Sequence, residues 1–374
     1  MATGIICEYN PFHNGHIYHL KEVKKQVKDD TLILVLSGNY TQRGDLSIIS
    51  KYDKTRLALM NGVDLVVLLP YSFATESSDF FAKGSIELLN HLKCNKVIFG
   101  SESNDILSLK ELANIQLNDT RYNKIVKEKL DNGDNYPTAM SKALSKISSK
   151  TVNEPNDILA LSYIKEIIKN NYKMEAISIK RTSDYNSTSL NGSISSARSI
   201  REALKNNFSI SSAVPNDTLK YLVKCDDLLL FNLLKYKIIT ENDLSIYQTV
   251  DEGLENKIKK EILNSNSLEE LIDNIKTKRY TYNKIKRMLI HILCSFTKEE
   301  KERYSTIKYI QVLGFSSKGK DYLNKIKKEL SVPLITNITK DNIDLLELEL
   351  RVDNIYNMLI HSNKNIFSDK PIIY

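Results

Sequence analysis

Cysteine is scarce and scattered. The four residues, Cys7, Cys94, Cys225 and Cys294, form no CxxC pair and no metal-ligand spacing. A disulfide framework and a cysteine-held metal are therefore not expected, and a reducing, cytoplasmic setting is. Long apolar runs are missing as well. The longest, Val63 to Leu69, is broken by Asp64 and falls far short of the roughly 20 residues a membrane helix needs. The opening MATGIICEYN has neither a basic n-region nor an apolar h-region, so no secretory signal is expected there. Low-complexity tracts and repeats of solenoid period are absent too. What is present is a chain of 374 residues, 41% hydrophobic and 26% charged, long enough for two domains and apolar enough for packed cores.

The charge is uneven. The whole chain carries +7, but Lys276 to Lys328 alone holds 15 Lys/Arg against 4 Asp/Glu. The remainder is thus slightly acidic. Such a segment is either a phosphate-contacting surface or a solvated helical face, and charge alone leaves both open.

The first hundred residues alternate strand and helix. Gly4 to Tyr9 reads as a strand, Ile17 to Val27 as a helix, and Thr31 to Leu36 as a strand buried on both faces. Helix Ser50 to Met60, strand Asp64 to Leu69, helix Asp79 to Leu92 and strand Lys96 to Phe99 follow, the last stopped by Gly100. The pattern predicts an α/β, Rossmann-like parallel sheet covered by helices on both faces. Further on, Ile158 to Ile168 reads as a helix, Met174 to Lys180 as a last strand, and ISSARSIREAL as a helix with serines where N-caps belong. From Asp217 onward apolar residues recur at helical spacing, with no clear strand before Val332 to Ile335. The expected division is 1–210, the α/β domain, and 211–374, a mostly helical, basic domain.

Three of six histidines, His13, His16 and His19, lie in EYNPFHNGHIYH, directly after the first expected strand. Ligands of an open parallel sheet bind beyond the carboxyl ends of its strands. Gly15 permits close backbone approach, and the following helix offers free N–H groups and its positive dipole end to a phosphate. His13 and His16, three residues apart, can both face that phosphate and stabilise charge on a departing pyrophosphate. No cysteine or carboxylate is spaced to complete a zinc site with them. His19, one turn further, is the expected bystander.

H-x-G-H after the first strand resembles the signature of HIGH-type nucleotidyltransferases. Their second signature, ISxTxIR, is matched here by Ile194 to Arg201, ISSARSIR. The serines, a helix N-terminus and Arg201 would clamp the β- and γ-phosphates. GIICEYNPFHNGHIYHL, SGNYTQRGD, DLVVLLP, ATESSDFFAKGSIELL, IFGSE, EPNDIL, SSARSIREAL, KYIQVLGFSSKGKDYL and RVDNIYN occur in this order. Together they resemble the tRNA(Met) cytidine acetate ligase family over nearly the whole chain.

That resemblance implies a two-step ligase. ATP and acetate would give acetyl-adenylate and pyrophosphate. The acetyl group would then pass to N4 of the wobble cytidine of elongator tRNA(Met), giving N4-acetylcytidine without acetyl-CoA. Mg²⁺ is expected with ATP, held by phosphates and water. No membrane or DNA partner is expected. The resemblance implies an ATP site made of Ile6, Cys7, Glu8, Tyr9, Asn10, Pro11, Phe12, His13, Asn14, Gly15, His16, Ile17, Tyr18 and His19, with Gly100, Asn156, Arg181, Ser196 and Arg201. His13 and His16 would be catalytic. Arg198 stands where the family commonly has threonine, and Asp157 where many relatives have a second asparagine. Read from the residues alone, Gly100 is equally a strand-end turn and Asn156 equally a helix N-cap. Gln42, Arg43 and Lys51 follow the second strand and are further candidates for the acyl or phosphate site.

In KTKRYTYNKIKRMLIHIL, Lys276, Lys278, Arg279, Lys284, Lys286 and Arg287 stand beside Tyr280 and Tyr282. Cations interleaved with aromatics suit RNA, and these residues are the expected tRNA contacts. The other reading is an amphipathic helix with at least one tyrosine in its core. Lys318, Lys320, Lys325, Lys327 and Lys328 form a second cluster. Two other functions fit the opening motif: adenylylation of a phosphorylated metabolite, and non-catalytic RNA binding on the same fold.

Overall fold

Five short apolar segments form the parallel part of the sheet: β1 (Ala2–Cys7), β2 (Thr31–Ser37), β3 (Leu65–Leu69), β4 (Lys96–Ser101) and β5 (Glu175–Lys180). The computed structural model describes residues 1–181 and 194–374. Of the ISSARSIR match, residues from Ile194 onward are therefore described. Helices of the first half are α1 (Asn14–Val27), α2 (Lys51–Met60), α3 (Tyr71–Ala74), α4 (Ser78–His91), α5 (Ile106–Asn118), α6 (Thr120–Asp131), α7 (Tyr136–Ile147), α8 (Pro155–Lys169) and α9 (Ala197–Lys205). The second half adds α10 (Asn216–Lys220), α11 (Asp227–Thr240), α12 (Leu254–Asn264), α13 (Leu268–Ile275), α14 (Tyr282–Leu293), α15 (Lys298–Arg303), α16 (Ser317–Ile326) and α17 (Glu347–Leu359). It also holds strands β6 (Ile310–Phe315), β7 (Leu334–Ile335) and β8 (Ile372–Ile373).

The sheet order is β5-β4-β1-β2-β3-β6-β7, with β8 also on β6. The first five strands run parallel, and β6 lies antiparallel to β3. In β2, Ile33 and Val35 enter the core under α4 and α8, while Leu32, Leu34 and Leu36 enter the core under α1 and α2. An uninterrupted apolar run is what two buried faces require.

The helical half has its own core. Phe231, Leu234, Ile258, Ile272, Leu289 and Phe296 pack there with Val352 and Tyr356 of α17, with Tyr40 from the loop after β2 and with Tyr71 of α3. Two expectations are corrected. Residues 310–315 form a strand where none was expected before Val332, and β7 is only two residues long. A split at 210 is therefore not a split of the sheet, because β6 and α16 return to it. Gly319 makes that return close: a Cβ there would stand 1.9 Å from the Asp64 carbonyl oxygen.

The C-terminal helix α17 fastens the loop after β2. Lys51 and Asp353 form a buried ion pair, and Asp353 also accepts from the Asn39 side chain at 2.8 Å. Tyr356 Oη donates to the Ser47 carbonyl at 2.7 Å, and the Tyr71 N–H donates to Glu349 at 2.7 Å. Burial and the neighbouring Asp353 push the Glu349 carboxyl up to about 7. Lys51, a further candidate for the acyl or phosphate site, is thus held inside by Asp353. No helix among the described residues is long and apolar enough to cross a membrane.

Candidate active site

At the carboxyl edge of the parallel strands, a cleft of about 770 Å³ opens between the sheet and the helical half. Its floor is the turn after β1. Tyr9 sits there with φ +49°, and its ring meets Phe12 and His16 edge-on at 4.8 and 4.6 Å. Helix α1 then begins three residues before the expected Ile17, because His13 caps it.

The two histidines cap reciprocally. Gly15 N–H donates to His13 Nδ1 at 3.0 Å, and His13 N–H donates to His16 Nδ1 at 3.2 Å. With Nδ1 an acceptor in both rings, the proton of each neutral imidazole sits on Nε2. The ring centroids are 3.8 Å apart. Burial, then nearby Arg181 and Arg201, lowers His13 to about 3; burial, then His13, His19 and Arg181, holds His16 well below the usual range. Two neutral Nε2–H donors are therefore presented side by side. Nitrogen-detected NMR at pH 6 is expected to show both rings as the neutral Nε2–H tautomer. A pair of imidazolium signals there would overturn this assignment. His19, lowered to about 4 by burial, lines the same cleft.

A second helix start faces the first. Ser196 caps α9 by accepting from the Ser199 N–H at 3.1 Å, and Ser196, Ala197, Arg198 and Arg201 line the cleft. Arg201 donates to the Asn10 carbonyl at 2.6 Å and lies 3.7 Å from Asp45. It ties the β1 turn to the loop after β2.

The third wall is the β4–β5 edge. A Cβ on Gly100 would be 3.3 Å from the Arg181 side chain, so glycine lets that side chain lie across the strand. Arg181 Nε is 3.7 Å from Glu102, which also accepts from the Asn156 amide and, at 3.0 Å, from the Asp157 N–H. Asp157 is buried and accepts from Ser101, Glu102 and Ser103. Glu154 and not Asn156 is the N-cap of α8. Asn156 thus faces the cleft, and Asp157 braces the turn that carries Glu102.

Of the residues expected at the site, Ile6, Cys7, Glu8, Tyr9, Asn10, His13, Gly15, His16, Tyr18, His19, Gly100, Asn156, Arg181, Ser196 and Arg201 line this cleft. Four of the run do not. Pro11 and Phe12 are buried, Ile17 packs toward the α1 core, and Asn14 ties the helix start to Ser212 and Ala213. Gln42 and Arg43 do line it. The basic segment divides. Arg279, Lys284 and Arg287 line the cleft, Lys286 pairs with Asp45, and Lys276 and Lys278 are exposed outside it. Arg287 is mostly buried and donates to the Gln42 carbonyl at 3.3 Å. Tyr280 is a core residue, its hydroxyl 2.8 Å from Glu252 and its ring 4.3 Å from Lys284 Nζ. The second lysine cluster is elsewhere: Lys318 donates to the Asp30 carbonyl and stands near Asp64, at the amino edge of the strands. It is on the far side of the sheet from the cleft.

Sequence reasoning missed Asp45, Glu76, Gln248 and Lys54. Glu76 is buried with Lys301 at 3.3 Å and Gln248 at 2.7 Å. Lys54, fully buried, donates to the carbonyls of Glu8, Ser37 and Gly38 at 2.9, 2.8 and 2.6 Å. Burial lowers it to about 7. It holds the carboxyl ends of β1 and β2 together below the histidines. Among described residues, eight Lys/Arg and three Asp/Glu line the cleft. That balance, with two helix starts and neutral imidazole donors, suits a polyphosphate.

The family model described as HIGH Nucleotidyl Transferase matches residues 1–370. The chain is 41% identical over 374 residues to the tRNA(Met) cytidine acetate ligase of Caldicellulosiruptor saccharolyticus, covering 95% of this chain and 93% of that one. It is 39% identical over 357 residues to the protein of the same name from a Geobacillus strain, covering 90% and 89%. Crystal structures of Thermotoga maritima TmcAL superpose on it with TM-scores of 0.91 for the apo form and 0.88 for the form bound with alpha-thio ATP. Sequence identities there are 29% and 28%, and both alignments cover 100% of this chain and 99% of the other.

Proposed function

The chain belongs to the tRNA(Met) cytidine acetate ligase family, among the HIGH nucleotidyl transferases, and from that premise we propose a two-step acetylation of tRNA in the cytoplasm. ATP binds in the cleft, its adenosine at Gly100, Asn156 and Arg181 and its phosphates between the starts of α1 and α9. Acetate attacks the α-phosphorus, and the bond from that phosphorus to the bridging oxygen breaks. Pyrophosphate leaves as His13 and His16 donate from Nε2 to the developing negative charge. The cytidine N4 of elongator tRNA(Met) then attacks the acetyl carbonyl. The N–C bond forms, the C–O bond to AMP breaks, and the N4 proton passes to water. Catalysis is by positioning and charge stabilisation, with no covalent enzyme intermediate and no acetyl-CoA.

The observation that carries this reading is the pair of Nε2–H donors set between two helix starts in a cationic cleft. Mg²⁺ would travel with the nucleotide, held by phosphates and water. Asp45 and Glu76 are already engaged by Lys286 and Lys301, and Glu8 accepts from the Gln42 N–H at 2.6 Å, so the described residues of the cleft offer no free carboxylate cage. Bound there, the ion would neutralise phosphate charge. The tRNA phosphates fall to Lys276, Lys278, Arg279 and Lys284, which flank the cleft. Lys286 and Arg287 order the loop after β2.

The test is incubation with ATP, labelled acetate and deacylated tRNA, then digestion to nucleosides. Label in N4-acetylcytidine is expected, with none transferred from labelled acetyl-CoA. Label absent from RNA, with pyrophosphate released only when a phosphorylated metabolite is supplied, would overturn the reading.

A further inference from the structure

Besides the turn after β1, the cleft lining includes Tyr163 and residues from the helices that cover that face of the sheet, which form an arm of the cleft. This arm is lined by Phe80 and Phe81 of α4, Tyr136, Met140 and Leu144 of α7, and Gln116 of α5. The walls are apolar, yet Gln116 is only 7% exposed and neither of its amide atoms has a hydrogen-bond partner. The Tyr122 side chain is a polar neighbour of this amide, but no well-formed hydrogen bond satisfies either amide atom. A buried amide with both ends unmet costs on the order of 1–3 kcal/mol for each group. Such a group in a cleft wall marks a place where a ligand completes the bonding.

The entrance is unusual in the same way. Phe80 and Tyr136 remain 39% and 47% exposed at its lip. The same cleft is also lined by Arg279 and Lys284, and on the loop before α7 Asp134 is held below the usual carboxylate range by its hydrogen bond from Lys142, with Lys278 adding to the positive field there. A strand lying along those cations would pass the lip with its bases within reach of two aromatic rings.

We propose that this arm receives the extruded target cytosine, with Phe80 and Tyr136 as the rings it slides between and Gln116 as the group that reads its edge. The proposal rests on the acetylation reading above. The chemistry favours a base over the other candidates. An amide carries a donor and an acceptor side by side, matching the N3 acceptor and one N4–H of cytosine. The second N4–H is left for replacement by acetyl. A carboxylate offers only acceptors and gains nothing from the amide oxygen. A phosphate finds no Lys or Arg among the residues named for this arm, and Lys301, whose Nζ stands 4.0 Å from the Phe80 ring, is held by Glu76 at 3.3 Å. Extruded bases are held in this manner, by edge hydrogen bonds and aromatic stacking.

The test separates the two half-reactions. Gln116→Leu, which removes the unmet amide from an apolar wall, and Tyr136→Ala, at the exposed lip, are both assayed for acetate-dependent exchange of labelled pyrophosphate into ATP and for acetyl transfer to tRNA. Exchange is expected at the wild-type rate in both. Transfer is expected to fall about 10- to 100-fold in kcat/KM, the loss of one base-reading contact. Transfer at the wild-type rate in both variants would overturn the proposal. So would equal loss of exchange, which would make the arm part of nucleotide binding, or new exchange with propionate in Gln116→Leu, which would make it an acyl pocket. If the wild-type protein exchanges pyrophosphate but labels no RNA, the acetylation reading fails and the proposal fails with it.

Discussion

Replacing His16 with alanine is expected to lower acetate-dependent pyrophosphate exchange by about 10²–10³-fold, the cost of removing one preorganised donor from a developing anion. Binding of tRNA is expected to persist, since the basic residues at the cleft rim are untouched. Alanine also removes the acceptor that His16 Nδ1 offers to the His13 N–H. A lost cap costs on the order of 1 kcal/mol, so a general weakening of α1 must be told apart from a chemical effect. His16→Asn makes the distinction. Its Oδ1 occupies the place of Nδ1 and keeps the cap, while the Nε2–H is gone. The same kinetic loss in His16→Asn, with an unchanged unfolding midpoint, assigns the defect to the missing donor. Exchange restored by asparagine would make His16 a structural cap and nothing more. Loss of tRNA binding in step with exchange would say the same.

The second large effect lies in the buried pair between α2 and α17. Asp353→Ala leaves Lys51 buried without its ion-pair partner, with Glu349 and Asp369 as the remaining acidic neighbours. Breaking a buried pair from one side typically costs about 3–5 kcal/mol, and denaturant unfolding is expected to show a loss of that order. Replacing both partners together, Lys51→Met with Asp353→Leu, is expected to recover most of it, because no uncompensated charge remains. The two single losses simply adding in the double variant would show that the residues act independently. The pair also holds Asn39, whose side-chain oxygen accepts from the Lys51 N–H. Asp353→Ala therefore loosens the loop carrying Gln42 and Arg43, and pyrophosphate exchange is expected to fall in the folded fraction as well.

Legibility from sequence followed distance along the chain. β2 could be read because its two-sided burial is written into five consecutive apolar residues, Leu32 to Leu36. The HNGH turn could be read because strand, glycine, histidines and helix start are contiguous, and the ISSARSIR start because its serine cap is local. The family followed from these ordered motifs. The strand at 310–315 could not be read. QVLGF follows a helix-rich, lysine-rich stretch, and its partner β3 lies at Leu65 to Val67, far back in the chain. Charge patterning failed for a related reason. Lys286 and Arg287 look like Lys278 in sequence, yet the first two turn inward to Asp45 and Gln42 while Lys278 is exposed. Periodicity assigns a residue to a helix face and says nothing about what that face meets. Gln116 illustrates the limit. On an amphipathic helix it reads as a boundary residue, and only the packing of α4, α7 and α8 around it makes an isolated amide at the end of a passage.

The clasp between Lys51 and Asp353 has a consequence in time as well as in space. Its two ends are 302 positions apart, and β3 likewise waits for β6 to cover its open edge. During synthesis the N-terminal strands and the histidine turn emerge early, but the loop over the cleft is fastened only once residue 353 has left the ribosome. A nascent or prematurely ended chain would hold the phosphate-binding turn without the fastening that completes the cleft. Fastening of the cleft is thereby deferred to chains in which residue 353 has been made, before which the cleft has one wall unsecured.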